Sequence, residues 1–176
     1  LMLRYPSYNA VLQTVNDKPV TDNDTISALD KVILTGNIED ENNQLVSNYN
    51  GVATVTVYDK KSEITTLANN GGTPMTFYCR DNIIYKGEAN VTNGEFSLEF
   101  VVPKDINMAF GEGRVSIFAT NSSTSALGSN ESVIVGGVSD NPTTDNTGPE
   151  ISIYFNDTLF TGNGITDSNP MLLVKL

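Results

Sequence analysis

Residues 83–103 read IIYKGEANVTNGEFSLEFVVP, and their reading decides the fold. Asn93-Gly94 separates two runs in which apolar and polar residues alternate. A two-residue Asn-Gly loop signals a type I′ turn, because both central residues must take positive φ. Closing a hairpin there sets Val91 opposite Phe96, Ala89 opposite Leu98, Gly87 opposite Phe100 and Tyr85 opposite Val102. All of these share one face, while Asn90, Ser97, Glu88 and Glu99 share the other. A slip of one residue would turn the whole apolar set outward, so pattern and turn agree on one register. Phe100 above Gly87 reads as a ring covering a strand glycine. Pro103 has no N–H to donate and ends the second strand.

Other strands follow in both directions. Tyr8 to Val15 makes a first strand, closed by Asn16-Asp17-Lys18-Pro19. Thr21 to Leu29 reads as a polar loop. Lys31 to Glu39 alternates, with Val32, Leu34, Gly36 and Ile38 on one face. Gly51 to Tyr58 sends Ala53, Val55 and Val57 inward, and Met75 to Arg80 is a short strand. Between them, Lys60 to Pro74 carries little pattern, and its NNGGTP centre suits an exposed excursion. Arg114 to Asn121 and Glu131 to Val138 supply the last strands, on either side of a small polar stretch from Ser122 to Ser129.

Many short strands without an amphipathic helix predict an all-β fold: an immunoglobulin-like antiparallel β-sandwich over residues 8–138. A transthyretin-like sandwich would read almost the same. Residues 1–7 read as the tail of an upstream domain. Residues 139–147 lack large apolar side chains and read as a linker. Residues 148–176 hold too few strands for a core of their own and read as the first strands of a second, incomplete β-domain.

Composition narrows the function. The 176 residues carry a net charge of −11, which argues against nucleic acid or anionic lipid as partner. There is no histidine, so neither a Cys-His nor a Ser-His-Asp machine can be assembled within the chain, nor any His-ligated metal site. The single Cys79 excludes an internal disulfide and is expected to be a small buried hydrophobe. No apolar run is long enough to span a membrane.

Four blocks carry a family resemblance: DTISALDKVILTGNIED (Asp24 to Asp40), GEFSLEFVVPKDI (Gly94 to Ile106), GPEISIYFND (Gly148 to Asp157) and ITDSNPMLLVKL (Ile165 to Leu176). In order and spacing they resemble the region after the catalytic domain in the PorU family, the gingipain-type cysteine peptidases that serve as cell-surface sortases of the type IX secretion system. LMLRYP at Leu1 to Pro6 resembles the closing segment of such a peptidase domain. The resemblance implies a non-catalytic accessory β-sandwich that spaces or supports an upstream catalytic domain at the bacterial surface. The family's catalytic Cys and His belong to that upstream domain, and no position here matches either. The implied partners are the catalytic domain, further β-domains of the same polypeptide and other components of the secretion machine. No cofactor is implied.

Acidic clusters are the remaining candidates for chemistry. Asp22 and Asp24 flank one loop, and Glu39, Asp40 and Glu41 crowd another. Asp140, Asp145, Glu150 and Asp157 are calcium candidates, since calcium takes oxygen ligands and often sits at joints between extracellular sandwiches. None has the spacing of a calcium-binding loop, and solvated turns account for them as well. Tyr49, Tyr58 and Tyr78 are candidates for a sugar-binding platform, against ordinary strand residues as the plainer account. A surface adhesin or carbohydrate-binding module is thus the alternative function. A Cys- and His-bearing peptidase domain encoded just before Leu1 would decide against it.

Overall fold

A computed structural model describes residues 5–20, 25–143, 151–159, 165–166 and 168–175. The chain divides into two compact units at residues 143/144.

The first unit is built on one large sheet. Its strands are β1 (Tyr8–Val15), β2 (Lys18–Pro19), β4 (Lys31–Glu39), β5 (Gly51–Tyr58), β8 (Ile83–Thr92), β9 (Glu95–Val101), β11 (Arg114–Thr120) and β12 (Ser125–Asn130). They run in the order β12-β11-β5-β8-β9-β4-β1-β2, and β12 also pairs with β1, so seven strands close into a barrel-like ring. Two seams of the ring are short. β8 meets β9 only at Val91↔Phe96 and Thr92↔Glu95, and β1 meets β12 only at Tyr8↔Ala126 and Asn9↔Leu127, in parallel. The all-β class expected from the sequence is met. The immunoglobulin-like sandwich is not confirmed, because hydrogen bonds cross both seams and join what would be two sheets.

Closure is a matter of small residues at tight places. A Cβ on Gly128 would run into the carbonyl oxygen of Ala10, so glycine lets β12 approach β1. Gly36 lies beneath Phe96, its cross-strand partner on β9, in one ring-over-glycine contact of the barrel. Gly87 differs from expectation. The ring that covers it is Tyr85's, and Phe100 stacks on that ring at 4.3 Å between centroids. The cause is the early parting of the hairpin arms: beyond two rungs, β8 pairs with β5 and β9 with β4.

Alternation fills the interior. Leu34, Ile38, Val55, Val57, Val115 and Ile117 are all buried inside the ring. A smaller sheet, β10 (Gly111–Glu112), β13 (Ile134–Val138) and β3 (Thr25–Ala28), contributes Ile26, Ala28 and Val135 to the same core. It lies at the end of the ring where β4 and β11 begin and β5 and β9 finish. The described part of the expected linker, residues 139–143, is held to this end. Ser139 N donates to Ala28 O (3.0 Å) and Thr143 N to Leu29 O (2.8 Å). Residues 144–147 of that stretch fall outside the described residues, as do residues 1–4 of the expected upstream tail.

The opposite end carries the Asn93-Gly94 turn. Both residues have positive φ, 54° and 82°. The turn docks on the β4–β5 connection: Gly94 N donates to Tyr49 O, Ile38 N donates to Gly94 O, and Asn93 N donates to Asn50 Oδ1. A Cβ at 94 would lie 2.5 Å from Val46 O, so strain and crowding act together. Gly94→Val is expected to destabilise the first unit by roughly 2 kcal/mol or more. Gly94→Asn tolerates the φ but keeps the crowding, and should fall between. Equal midpoints for the two variants in urea unfolding would mean that crowding alone decides.

In the second unit, β14 (Ser152–Phe155) and β15 (Leu172–Lys175) form an antiparallel ribbon. Ile153, Phe155, Leu172, Leu173 and Val174 are exposed on it. No helix among the described residues is long and apolar enough to cross a membrane.

Candidate functional site: a cationic cavity at one end of the barrel

Charged side chains gather where the chain leaves β5 at residue 59 and returns to β8 at residue 83. Asp59 is almost fully buried, 4% exposed. Its Oδ1 accepts from Lys60 N (2.8 Å) and Lys60 Nζ (2.7 Å), and its Oδ2 accepts from Asn82 Nδ2 (3.2 Å). Burial alone would push this carboxyl up. The hydrogen bonds and charge of Lys60, with Asn82, outweigh burial and hold it below the usual carboxylate range. Lys60 Nζ also donates to Asn107 O (2.9 Å) and Val135 O (3.4 Å). The pair thereby ties the excursion to the small sheet and to the β9–β10 connection.

Beyond it, β6 (Ser62–Thr65) and β7 (Thr76–Cys79) form a two-stranded ribbon. Leu67, Met75, Phe77 and Tyr78 are exposed there. Tyr78 donates its hydroxyl to Glu63 Oε2 (2.8 Å) across the ribbon. Where the ribbon returns to the barrel, Arg80 is folded inward with only 10% of its side chain exposed. Its Nη2 donates to Gly113 O and to Glu131 Oε2, both at 3.3 Å. Arg114 Nη1 approaches Glu131 Oε1 at 3.7 Å. Tyr58, Lys61, Tyr78, Cys79, Arg80, Arg114 and Ser116 line a cavity of about 350 Å³ beside these groups. The lining holds three cations and no carboxylate.

The residues singled out from the sequence are distributed differently. Cys79 is half-buried at the rim of this cavity, not enclosed in an apolar core, because its strand belongs to a ribbon outside the ring. Tyr58 and Tyr78 line the cavity, whereas Tyr49 is buried in a loop, edge-on to Tyr8 at 5.9 Å. Burial, and secondarily Tyr8, pushes the Tyr49 phenol up. Asp40 is occupied by its own loop. Its Oδ1 accepts from Gln44 N and Asn42 N, which hold the carboxyl below its usual range. Glu39 accepts from Gln13 Nε2.

Of the calcium candidates, Asp140 belongs to the first unit and Asp157 to the second, where Asp157 Oδ1 accepts from Leu159 N in its own turn. Asp145 and Glu150, like Asp22 and Asp24, fall outside the described residues. Among the described residues no three acidic or cysteine side chains converge on a common point. Millimolar calcium added to chelator-treated protein is accordingly expected to move the melting temperature by less than about 2 °C, since a tight site would add several kcal/mol by linkage. A large upward shift would contradict this. Arg80 and Arg114 drew no attention in the sequence. The available signal was that two of the chain's three arginines sit at strand ends in an acidic protein.

No known sequence family and no curated protein matches the chain. Among solved structures, it is similar to dimeric latent PorU from Porphyromonas gingivalis, with 32% identity and a TM-score of 0.69 over 89% of this chain. The match spans 15% of that protein, so the chain resembles a domain-sized part of PorU. A sporulation control protein, Spo0M from Bacillus subtilis, matches 77% of this chain and 51% of its own at 10% identity and a TM-score of 0.41, too loosely to carry an argument.

Proposed function

We propose that the chain is a non-catalytic accessory β-region of a cell-surface cysteine peptidase of the gingipain type, a sortase of the type IX secretion system. In this reading the barrel-like unit spaces or supports a catalytic domain elsewhere in the polypeptide. The second unit begins a further β-domain. The observation that carries the reading is the 32% identity to PorU, sustained over 89% of the chain. Side-chain chemistry agrees with it. Cys79 has no imidazole anywhere in the chain to act as its base, and the cavity it borders is lined by cations rather than carboxylates. Residence outside the cell, at the bacterial surface, belongs to the same proposal. Its partners are the catalytic domain, the following β-domains and other secretion components.

The test uses the whole protein in a strain that lacks it. Deletion of Tyr8 to Val138 is expected to impair removal of the sorting signal from secreted cargo, and Cys79→Ser to leave it intact. Loss of maturation in an exported, folded Cys79→Ser protein would refute the non-catalytic reading.

A further inference from the structure

Glu131 is the one carboxylate paired with Arg80 and Arg114 among the described residues, and it divides itself between them. It reaches Arg80 at 3.3 Å but Arg114 only at 3.7 Å, beyond hydrogen-bonding distance. A guanidinium carries five N–H donors. Arg80 commits one nitrogen, Nη2, to Gly113 and Glu131, while the Nε–H groups of both arginines are shut away from water without an acceptor. Lys61, on the same cavity, has no ion pair among the described residues. Three cations thus face one carboxylate in a chain whose net charge is −11. The neighbouring Asp59–Lys60 pair makes the contrast: every charge there has close partners, and nothing is missing.

We propose that this cavity binds an oxyanion, the carboxylate or phosphate group of a small molecule. Arg80 and Arg114 supply the charge and the forked donors that fit either group. Lys61 adds a third cation, Ser116 a hydroxyl, and Tyr58 and Tyr78 offer aromatic surface to the rest of the ligand. A volume of about 350 Å³ admits a ligand of metabolite or monosaccharide size. The bound anion takes up the positive charge that Glu131 leaves uncompensated. The site stands independently of the accessory role proposed above.

The test follows the side-chain Nε–H resonances of Arg80 and Arg114 in the full chain by NMR. Inorganic phosphate is titrated in one arm and citrate in the other, with chloride at matched ionic strength as control. Saturable shifts are expected in at least one arm and not in chloride. Saturation by phosphate alone assigns a phosphate ligand, and by citrate alone a carboxylate. Arg114→Gln, at a side chain 40% exposed, should weaken binding about tenfold, the loss of one charge-assisted contact. Glu131→Gln removes the competing carboxylate and should tighten it. Should Arg114→Gln fail to fold, Lys61→Gln at an exposed position serves the same comparison and should also weaken binding. Shifts that never saturate, that chloride reproduces, or that persist undiminished in the folded cation variants would overturn the proposal.

Discussion

Asp59→Ala is expected to destabilise the first unit by about 3 kcal/mol, the cost of removing one partner from a buried ion pair. The variant leaves Lys60 Nζ with only the carbonyls of Asn107 and Val135, and leaves Asn82 Nδ2 without its acceptor. The effect has a definite pH dependence. The folded carboxyl titrates below its ordinary value of 3.8, so the stability it supplies is complete above that value and is lost as pH falls through the lower, folded one. Asp59→Asn keeps the shape without the charge. The gap between wild type and Asp59→Asn in urea unfolding should be wide at pH 7 and close progressively below about pH 4. A gap that stays constant down to pH 2 would mean that the carboxylate charge contributes nothing.

Gly128→Val is expected to have an effect of similar size for a different reason. The new side chain would meet the carbonyl oxygen of Ala10, which is backbone held in β1 and cannot swing aside. Relief requires β12 to leave β1, opening the ring at its parallel seam. Overpacking against backbone costs about 3 kcal/mol, equivalent to a fall of roughly 10 °C in melting temperature for a chain of this size. Leu127→Ala, next door but half exposed on the outer face, should change the midpoint by less than about 1 kcal/mol. Equal melting temperatures for Gly128→Val and the wild type would show that the two strands do not approach so closely.

Strands with strong alternation were legible in the sequence. Tyr8–Val15, Lys31–Glu39 and Gly51–Tyr58 have the bounds their patterns predict. Five strands were missed: β2 and β10 are two residues long, too short to show a pattern, and three longer ones escaped for particular reasons. β12 is SALGSN, with no β-branched or aromatic residue, and owes its place to Gly128's close packing and buried Ala126. β3 follows an Asp-rich stretch of sequence that masks its pattern, and is a strand because Ile26 is buried in the core. β6 is half of a ribbon outside the core, where no periodicity is demanded. Ring closure was not legible at all, because it depends on pairings between residues more than a hundred positions apart, such as Tyr8 with Ala126. The cavity escaped for the same reason: Arg80, Arg114 and Glu131 come from three separate strand ends and share no local motif.

The two seams also bear on how the first unit carries tension. β1 begins at the end of the barrel that holds the Asn93-Gly94 turn. The chain leaves β13 at the other end, beside Ala28 and Leu29. A pull applied through residue 8 and residue 143 therefore runs along the strands, and loads β1 in shear against β4 on one side and β12 on the other. Ladder hydrogen bonds lie across that direction, so they must fail together rather than peel apart one by one. A domain connected in this way behaves as a stiff strut and not as an extensible tether.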